Sequence, residues 1–317
     1  MDVDEPPLVA LVGPTAVGKT AAGIALAERI GGEIVSADAV AVYRGLDIGA
    51  AKPTREERAR VPFHLIDVAD PDQDFTVANF ARLAEQALAA IHRRGRIPLI
   101  VGGTGLYVRA VTAILAIPHV PPQPELRAAL VAEAERDGTP ALHAKLAAVD
   151  PASAARIAPG DRKRIVRALE VWQATGRPLS AFHTPEGVQG APRPNTWIWG
   201  LRMERERLYR RIDERARAMW AAGLIEEVRG LLAAGYGPEH KAMQSLGYRH
   251  AIAHLQAGRT PEAFVAELAR DTRRYAKRQM SWFNADKRVR WIDVDEQAPE
   301  EVAGRIAKDI GPQEGLR

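Results

Sequence analysis

A short segment near the start of the chain has the residue types and spacing of a phosphate-binding loop. Its sequence is Gly13-Pro14-Thr15-Ala16-Val17-Gly18-Lys19-Thr20. Two glycines separated by four residues let backbone amides surround phosphate oxygens, the lysine adds a positive charge, and the last hydroxyl can bind Mg²⁺. An accidental glycine-rich turn is the alternative, but a strand-like run precedes the loop and a helix-like run follows it. The loop predicts phosphate binding and leaves the reaction open.

Two later segments could supply the other groups that a reaction at a phosphate needs. Asp38 follows the second predicted strand, where its carboxylate is either a general base or only the cap of a following helix. Gly102-Gly103-Thr104-Gly105 follows another predicted strand and offers amides and a hydroxyl, or forms only a tight turn. Phosphate-loop kinases often have an acidic residue at such a strand end. Its absence here argues against phosphoryl transfer.

Short apolar runs predict the strands that bring these groups together. They cover residues 8–12, 33–35, 64–66 and 97–101, and helices are predicted over 20–30 and 77–94. Strands that alternate with helices form parallel sheets, and such sheets bind ligands at the carboxyl ends of their strands. We therefore expect an α/β fold whose core is a parallel sheet like that of P-loop NTPases, with the phosphate loop, Asp38 and Thr104 at one edge.

The middle of the chain predicts a separate helical domain. Helices are expected over 125–137, 140–149 and 162–175, the last of them between an Asp161 N-cap and Gly176. After this domain, strands are predicted over 197–201 and 289–294, and long helices are predicted over 205–235 and 261–283. We expect a small all-helical insertion domain over 120–195, within a core formed by residues 1–119 and 196–317.

Positive charge is concentrated in two segments. Residues 156–167 carry a net charge of +4 and residues 270–290 carry +6, whereas the whole chain carries only +4. Solvated helix faces are the ordinary explanation of such runs. In the second segment Tyr275, Trp282 and Phe283 alternate with arginines and lysines, and rings among basic side chains are typical of nucleic-acid surfaces. We expect both segments to bind nucleic acid.

Composition excludes several classes of protein. The 317 residues include no cysteine, which excludes disulfide scaffolds, thiolate metal sites and cysteine nucleophiles. His250 and His254 are four residues apart, but a zincin glutamate does not follow His250 and no third ligand is evident. No apolar run approaches the ~20 residues of a membrane helix. We expect a cytoplasmic monomer with no membrane contact.

Taken in order, motifs from Leu8 to about Trp291 resemble those of the tRNA dimethylallyltransferase family. Besides the phosphate loop and Ser36-Ala37-Asp38, they are Val42-Tyr43-Arg44-Gly45-Leu46-Asp47-Ile48-Gly49, Ala51-Lys52-Pro53, His64-Leu65-Ile66-Asp67, Gly102-Gly103-Thr104-Gly105-Leu106-Tyr107, Asp161 with Arg164 and Arg167-Ala168-Leu169-Glu170-Val171, Gly223-Leu224-Ile225-Glu226-Glu227-Val228, Gly247-Tyr248-Arg249, and Thr272-Arg273-Arg274-Tyr275-Ala276-Lys277-Arg278-Gln279. Each block is short, but the whole set in this order is highly specific.

The resemblance implies transfer of a dimethylallyl group from dimethylallyl diphosphate to N6 of the adenosine just after the tRNA anticodon, with release of diphosphate. It implies that Asp38 removes the N6 proton, that Thr104 and Arg215 hold the diphosphate with the loop Gly13 to Thr20, and that Thr20 binds Mg²⁺. These roles agree with the chemistry, because an exocyclic amine attacks well only as it loses a proton. The residues implied to bind the anticodon stem-loop are Asp38, Ala39, Val40, Ala41, Thr104, Arg127, Lys163, Arg164, Arg167, Gln244, Gly247, Tyr248, Arg249, Arg274, Lys277 and Arg278.

The chain departs from the family pattern at four positions. Ala39 and Ala41 occupy positions where the family usually has Ser and Gln. Lys163 replaces the usual Gln, and Ala50 replaces the usual Thr. Either other groups replace the missing base contacts, or base discrimination is weaker. Two functions from other classes compete with prenyl transfer: a small-molecule kinase on the same loop, and an RNA-binding protein with an inactive phosphate site. The uncharged strand end at Gly102 argues against the first, and the intact Lys19, Thr20 and Asp38 argue against the second.

Overall fold

The computed structural model describes residues 7–114, 120–182 and 190–310. It divides into two compact units, a core of Met1–Thr112 with Arg193–Arg317 and an insertion of Ala113–Pro192. The insertion was predicted over 120–195, and the predicted core boundary at residue 119 lies outside the described residues. Among the described residues, no helix is both long and apolar enough to cross a membrane.

A six-stranded parallel sheet forms the centre of the core unit. Its strands are β1 (Leu8–Val12), β2 (Gly32–Ala37), β3 (Phe63–His64), β4 (Ile97–Gly102), β7 (Thr196–Arg202) and β8 (Val289–Asp293), in the order β3-β2-β4-β1-β7-β8. Every residue of β1, β2 and β4 is buried, as expected for strands covered on both faces. Val12 and Ala37 both pair with Gly102. The three loops that follow these strands therefore begin side by side, as the sequence predicts.

Nine helices surround this sheet in the described part of the core unit. They are α1 (Lys19–Ile30), α2 (Arg55–Arg60), α3 (Val77–Arg93), α4 (Gly105–Thr112), α9 (Arg205–Ala221), α10 (Leu224–Ala233), α11 (Tyr248–Ala257), α12 (Pro261–Asn284) and α13 (Pro299–Ile310). α1 begins directly after Gly18 and ends before Gly31, which has a left-handed φ of 65°. The start of α1 therefore lies at the phosphate loop.

Two elements differ from the sequence prediction. A single helix over 205–235 is wrong, because Gly223 has a φ of 93° and separates α9 from α10. The strand predicted over 64–66 is also displaced, since β3 ends at His64 and Leu65 has a φ of 62°. A residue with positive φ cannot continue a strand or a right-handed helix. Periodicity alone gave no sign of either break.

The insertion unit has its own small core. It contains α5 (Pro124–Asp137), α6 (Thr139–Val149), α7 (Pro151–Arg156), α8 (Arg162–Thr175), a 3₁₀ turn (Leu179–Phe182), and the short antiparallel strands β5 (Ala113–Ile114) and β6 (Ala191–Pro192). Leu142, Leu146 and Ile165 are fully buried among these helices. Asp161 caps α8 through the amide of Arg164 at 3.2 Å, and Gly176 ends it, as predicted. Besides the predicted helices, the described part of this unit contains α7, the 3₁₀ turn and the two-residue strand pair, which were not predicted.

Candidate active site

The phosphate loop has a conformation that its glycines make possible. Gly13 and Gly18 have φ values of 143° and 105°. A Cβ atom on Gly13 would lie 2.5 Å from the carbonyl oxygen of Leu201, so no other residue fits there. Gly18 then leads directly into α1, whose first amides are free of intrahelical partners. Such a loop at a helix start provides the amides and the partial positive charge that bind an anion.

Lys19 faces the cavity inside this loop. Its Nζ donates to the carbonyl oxygen of Pro14 at 2.7 Å. Burial and the nearby positive charge of Arg215 lower the pKa of Lys19 to about 7, and the carboxylate of Asp38 opposes this only in part. Lys19 is therefore a desolvated cation with a second cation beside it, and a bound anion would stabilise both charges.

Asp38 follows β2 and is fixed by the backbone after it. Its Oδ1 accepts hydrogen bonds from the amides of Val40 at 2.8 Å and Ala41 at 3.2 Å. No helix follows directly, since the next one begins at Arg55. The helix-cap alternative is therefore wrong, and the carboxylate instead holds a turn. The turn leaves Asp38 at the wall of the cavity that also contains Lys19.

The turn after β4 brings Thr104 to the same place. Thr104 donates its amide to the oxygen of Ala37 at 3.1 Å, and its Oγ1 accepts from the amide of Ala39 at 3.0 Å. A Cβ atom on Gly102 would lie 2.1 Å from that same Ala37 oxygen, so the close approach requires glycine. This segment is a tight turn, as one alternative proposed, and it also joins Thr104 to the turn of Asp38.

Helix α9 adds two arginines on one face, one turn apart. Arg215 lines the cavity, and its NH1 lies 3.5 Å from Oγ1 of Thr15. Burial lowers the pKa of Arg215, while the charge of Asp38 raises it. Arg211 lies near Gly18 and lines the same cavity. Arg211 was not predicted from the sequence, although its spacing of four from Arg215 on a predicted helix is a signal that could have identified it.

Two cavities meet at these groups. The phosphate cavity, of about 510 Å³, is lined by the loop from Thr15 to Thr20, Lys52 and both arginines. The apolar cavity, of about 310 Å³, is lined by Val40, Ile212, Ala216, Met219 and Leu268 together with polar and charged side chains. Thr15, Asp38, Arg215 and Tyr275 line both. The carboxylate of Asp38 and the guanidinium of Arg215 thus lie where the phosphate cavity meets the apolar cavity.

Residues implied to bind tRNA lie beside the apolar cavity. Gln244, Arg249 and Arg278 line this cavity. Arg274 and Lys277 are exposed on α12, and Arg249 and Arg274 both pair with Asp271, at 2.9 and 3.3 Å. Tyr248, in contrast, is fully buried, and its hydroxyl donates to Glu227 at 2.6 Å. Gly247 precedes it as the N-cap of α11 with a φ of 91°.

The aromatic residues of α12 do not form the exposed stacking surface that the sequence predicts. Phe283 is buried in the core, and Trp282 packs against Gly105 with Arg109 4.2 Å above its ring. Tyr275 lines both cavities, and burial raises its pKa to about 12, with the charge of Asp38 adding to the shift. His250, a weak metal candidate, has Nε2 3.2 Å from an oxygen of Asp271.

In the insertion unit, the implied tRNA-binding residues divide into two kinds. Arg127 and Arg167 both bind the carboxylate of Glu170, at 2.7 and 2.5 Å, and this carboxylate is 0% exposed. Lys163 and Arg164 are exposed at the start of α8. The first pair therefore neutralises a buried charge, whereas the second pair faces solvent.

Side chains outside the predicted site hold its loops. Lys52 is buried, and its Nζ donates to the oxygen of Tyr43 and to the carboxylates of Asp47 and Asp67, at 2.7, 2.6 and 2.5 Å. Glu227 accepts from the amides of Asp47, Ile48 and Gly49. These contacts fix the segment 43–52, which forms another wall of the phosphate cavity. The contacts of Glu227 join parts of the chain about 180 residues apart, so local sequence patterns could not assign them.

The fold and the site define a phosphate-loop α/β protein with a ligand site at the carboxyl ends of β1, β2 and β4. Residues 41–286 match the IPP transferase family, and residues 6–63 match the isopentenyl transferase family. The chain belongs to the IPP transferase family. This result confirms the family and the fold class that the motifs indicate.

Similar proteins match almost end to end. A tRNA dimethylallyltransferase of Desulforudis audaxviator is 49% identical over 309 residues, or 96% of this chain and 99% of that protein. One from Symbiobacterium thermophilum is 52% identical over 91% of this chain and 89% of its own length. The crystal structure of a full-length tRNA isopentenylpyrophosphate transferase from Bacillus halodurans is 40% identical, with a TM-score of 0.70 over 96% of this chain and 97% of that one.

Proposed function

We propose that this protein transfers the dimethylallyl group of dimethylallyl diphosphate to N6 of the adenosine immediately after the anticodon of tRNA, and releases diphosphate. One observation carries the proposal. Asp38 stands where the phosphate cavity and the apolar cavity meet. A diphosphate bound by the loop and an acceptor amine entering from the apolar side would come together beside a carboxylate that can accept a proton.

The cationic groups of the phosphate cavity suit a leaving diphosphate. Lys19 and Arg215 are desolvated, and both have lowered pKa values. Their positive charge would stabilise the negative charge that develops as the C–O bond of the substrate breaks. The loop amides and Thr104 would add hydrogen bonds to the same group. Arg211, at the edge of the cavity, is a further cation on this side.

Asp38 is the general base in this proposal. As N6 of adenine forms a bond to the allylic carbon, the carbon–oxygen bond to diphosphate breaks, and the N6 proton passes to the carboxylate. Deprotonation is needed because the exocyclic amine is a poor nucleophile. Oδ1 remains held by the amides of Val40 and Ala41, so the carboxylate is oriented before the substrate arrives.

The cavity also fits a Mg²⁺ ion that is bound mainly through the substrate. In the described part of the chain, no three His, Asp or Glu side chains cluster as metal ligands. Thr20, in the first turn of α1, offers a hydroxyl at the phosphate cavity. Mg²⁺ commonly keeps several waters and takes its other ligands from substrate phosphates and one or two side chains. When bound, the ion would screen diphosphate charge.

The anticodon stem-loop would lie along the rim of the apolar cavity and along α12. Gln244, Arg249 and Arg278 line that cavity, and Arg274 and Lys277 are exposed on α12. Lys163 and Arg164 of the insertion are exposed as well. Arginines and lysines that face solvent can neutralise RNA phosphates.

The test is a reaction with Mg²⁺, unmodified tRNA and dimethylallyl diphosphate. We expect release of diphosphate and the mass increase of one dimethylallyl group in place of hydrogen on a single adenosine next to the anticodon. ATP should not replace the prenyl donor, because no carboxylate stands at Gly102-Gly103-Thr104 to organise phosphoryl transfer. ATP-dependent phosphorylation of a nucleoside or a small alcohol, with no mass change in tRNA, would instead show that the protein is a kinase.

A further inference from the structure

The side chain of Gln279, on α12, joins two loops of the phosphate cavity. It is 6% exposed. Its Oε1 accepts from the amide of Thr15 at 2.8 Å, and its Nε2 donates to the carbonyl oxygen of Gly103 at 2.9 Å. These partners lie 264 and 176 residues away in the chain. One carboxamide therefore satisfies a buried donor and a buried acceptor from different loops.

The surroundings of Gln279 leave little freedom. A Cβ atom on Gly103 would lie 2.2 Å from Nε2 of Gln279, so the amide occupies the space that any larger residue would need. Tyr275, one turn earlier on α12, lines the phosphate cavity together with Gln279. The phosphate loop and the Thr104 turn are thus held against the same helix face.

We propose that Gln279 is a positioning residue for diphosphate binding, because it fixes the phosphate loop and the turn of Thr104 relative to each other. The amide of Thr15 is engaged by Gln279, so the beginning of the loop keeps its place whether or not an anion is bound. Thr104 is the residue after Gly103, so its hydroxyl moves with the carbonyl that Gln279 holds. The identity of the prenyl substrate rests on the proposed function, but anion binding by the loop can be measured separately.

Gln279→Glu is an informative variant, because a protonated glutamate has the same donor and acceptor as glutamine. An ionised glutamate would still accept from Thr15, but it would place negative charge against the carbonyl oxygen of Gly103. Burial favours the protonated form, and the neighbouring cations favour the ionised form. The charged or titratable side chains that line this cavity are Lys19, Asp38, Glu57, Arg211, Glu214, Arg215, Lys52 and Tyr275.

The measurement is the dissociation constant of inorganic diphosphate with Mg²⁺, from pH 5.5 to 8.5, in the full-length protein and in Gln279→Glu. The dissociation constant of the variant is divided by that of the parent at each pH. This ratio cancels the effects of ionisation of the ligand and of groups that both proteins share. We expect this ratio to be roughly tenfold to hundredfold at high pH and to fall as pH decreases, since one lost hydrogen bond leaves a buried group unsatisfied. A purely structural role would lower thermal stability without this pH dependence.

Gly103→Ala is a second, independent variant, because its added methyl group would displace the same amide. We expect weaker diphosphate binding here too, with an increase in the KM for dimethylallyl diphosphate and little change in tRNA affinity. Ser281→Ala, two residues further along α12, is the matched control, and its hydroxyl bonds only to the helix backbone at 3.0 Å. The proposal would be overturned if Gln279→Glu and Gly103→Ala both bound diphosphate as tightly as the parent at every pH. Failure of the parent itself to bind diphosphate would instead overturn the proposed function.

Discussion

Arg215 of the core unit and two arginines of the insertion unit have opposite electrostatic surroundings. Arg215 lines two cavities and forms no ion pair among the described residues, and burial lowers its pKa. Arg127 and Arg167 share the buried carboxylate of Glu170. A buried cation without a carboxylate partner can serve a ligand, whereas a paired one chiefly serves the fold. Positive charge in a sequence therefore identifies a binding site only when its partners are known.

The largest expected effect comes from Asp38, whose carboxylate stands beside the cations Lys19 and Arg215. Asp38→Asn should reduce turnover by about 10² to 10⁴, the usual contribution of a general base. Asparagine keeps an oxygen that can accept from Val40 and Ala41, so the turn should remain intact. Single-turnover kinetics with saturating tRNA and dimethylallyl diphosphate measures the effect.

Binding experiments separate this role from a structural one. The affinities of Asp38→Asn for tRNA and for diphosphate should change far less than its turnover. Near-normal turnover would show that another group removes the N6 proton, and would leave Asp38 only its contacts with the turn.

A paired set of variants tests the comparison itself. Arg215→Met should lower turnover by about 10² to 10³, as loss of one fixed positive group at a developing anion does, without lowering stability. Arg127→Met should lower stability without lowering turnover. The buried carboxylate of Glu170 would lose two of its hydrogen bonds, which are 2.7 and 3.0 Å long. We expect Arg127→Met to cost about 1–3 kcal/mol of unfolding free energy.

Urea unfolding measures the stability of Arg215→Met and Arg127→Met, and single-turnover kinetics measures the turnover of the same two proteins. Arg127 carries an implied role in tRNA binding, so tRNA affinity is the third measurement. If Arg127→Met weakens tRNA binding and leaves stability unchanged, pairing with a buried carboxylate does not distinguish structural arginines from functional ones in this protein.

The parts of the molecule that sequence predicted well are those with local causes. The strand, loop and helix of the phosphate site lie within 23 consecutive residues, from Leu8 to Ile30, and each carries its own pattern. Asp161 and Gly176 likewise mark the ends of α8 through contacts with their own helix. Parallel strand ends were expected at one edge, and the register of β1, β2 and β4 places them there.

The parts that sequence did not predict depend on contacts between distant residues. Gln279 meets Thr15 and Gly103 only once the sheet has formed, and no pattern in α12 indicates which of its polar residues turns inward. The same holds for Phe283, which looked like a stacking ring because of its basic neighbours and is in fact buried. Amphipathic spacing gives a helix two faces, but only packing decides what each face touches.

The smallest expected effect concerns the proton of Lys19. With a pKa of about 7, this lysine is charged in the free protein below that pH and increasingly neutral above it. A bound diphosphate would favour the charged form and raise the pKa. Binding above pH 7 should therefore take up part of a proton, and affinity should fall as pH rises from 7 to 9.

Calorimetry in buffers of different ionisation enthalpy measures the uptake. Arginine stays charged throughout this pH range, so Lys19→Arg should lack the proton uptake that comes from Lys19. It should keep the proton uptake or release that comes from the diphosphate itself. Equal uptake by the parent and by Lys19→Arg would mean that Lys19 is already charged in the free site, and that the cations of the core are better balanced than their contacts indicate.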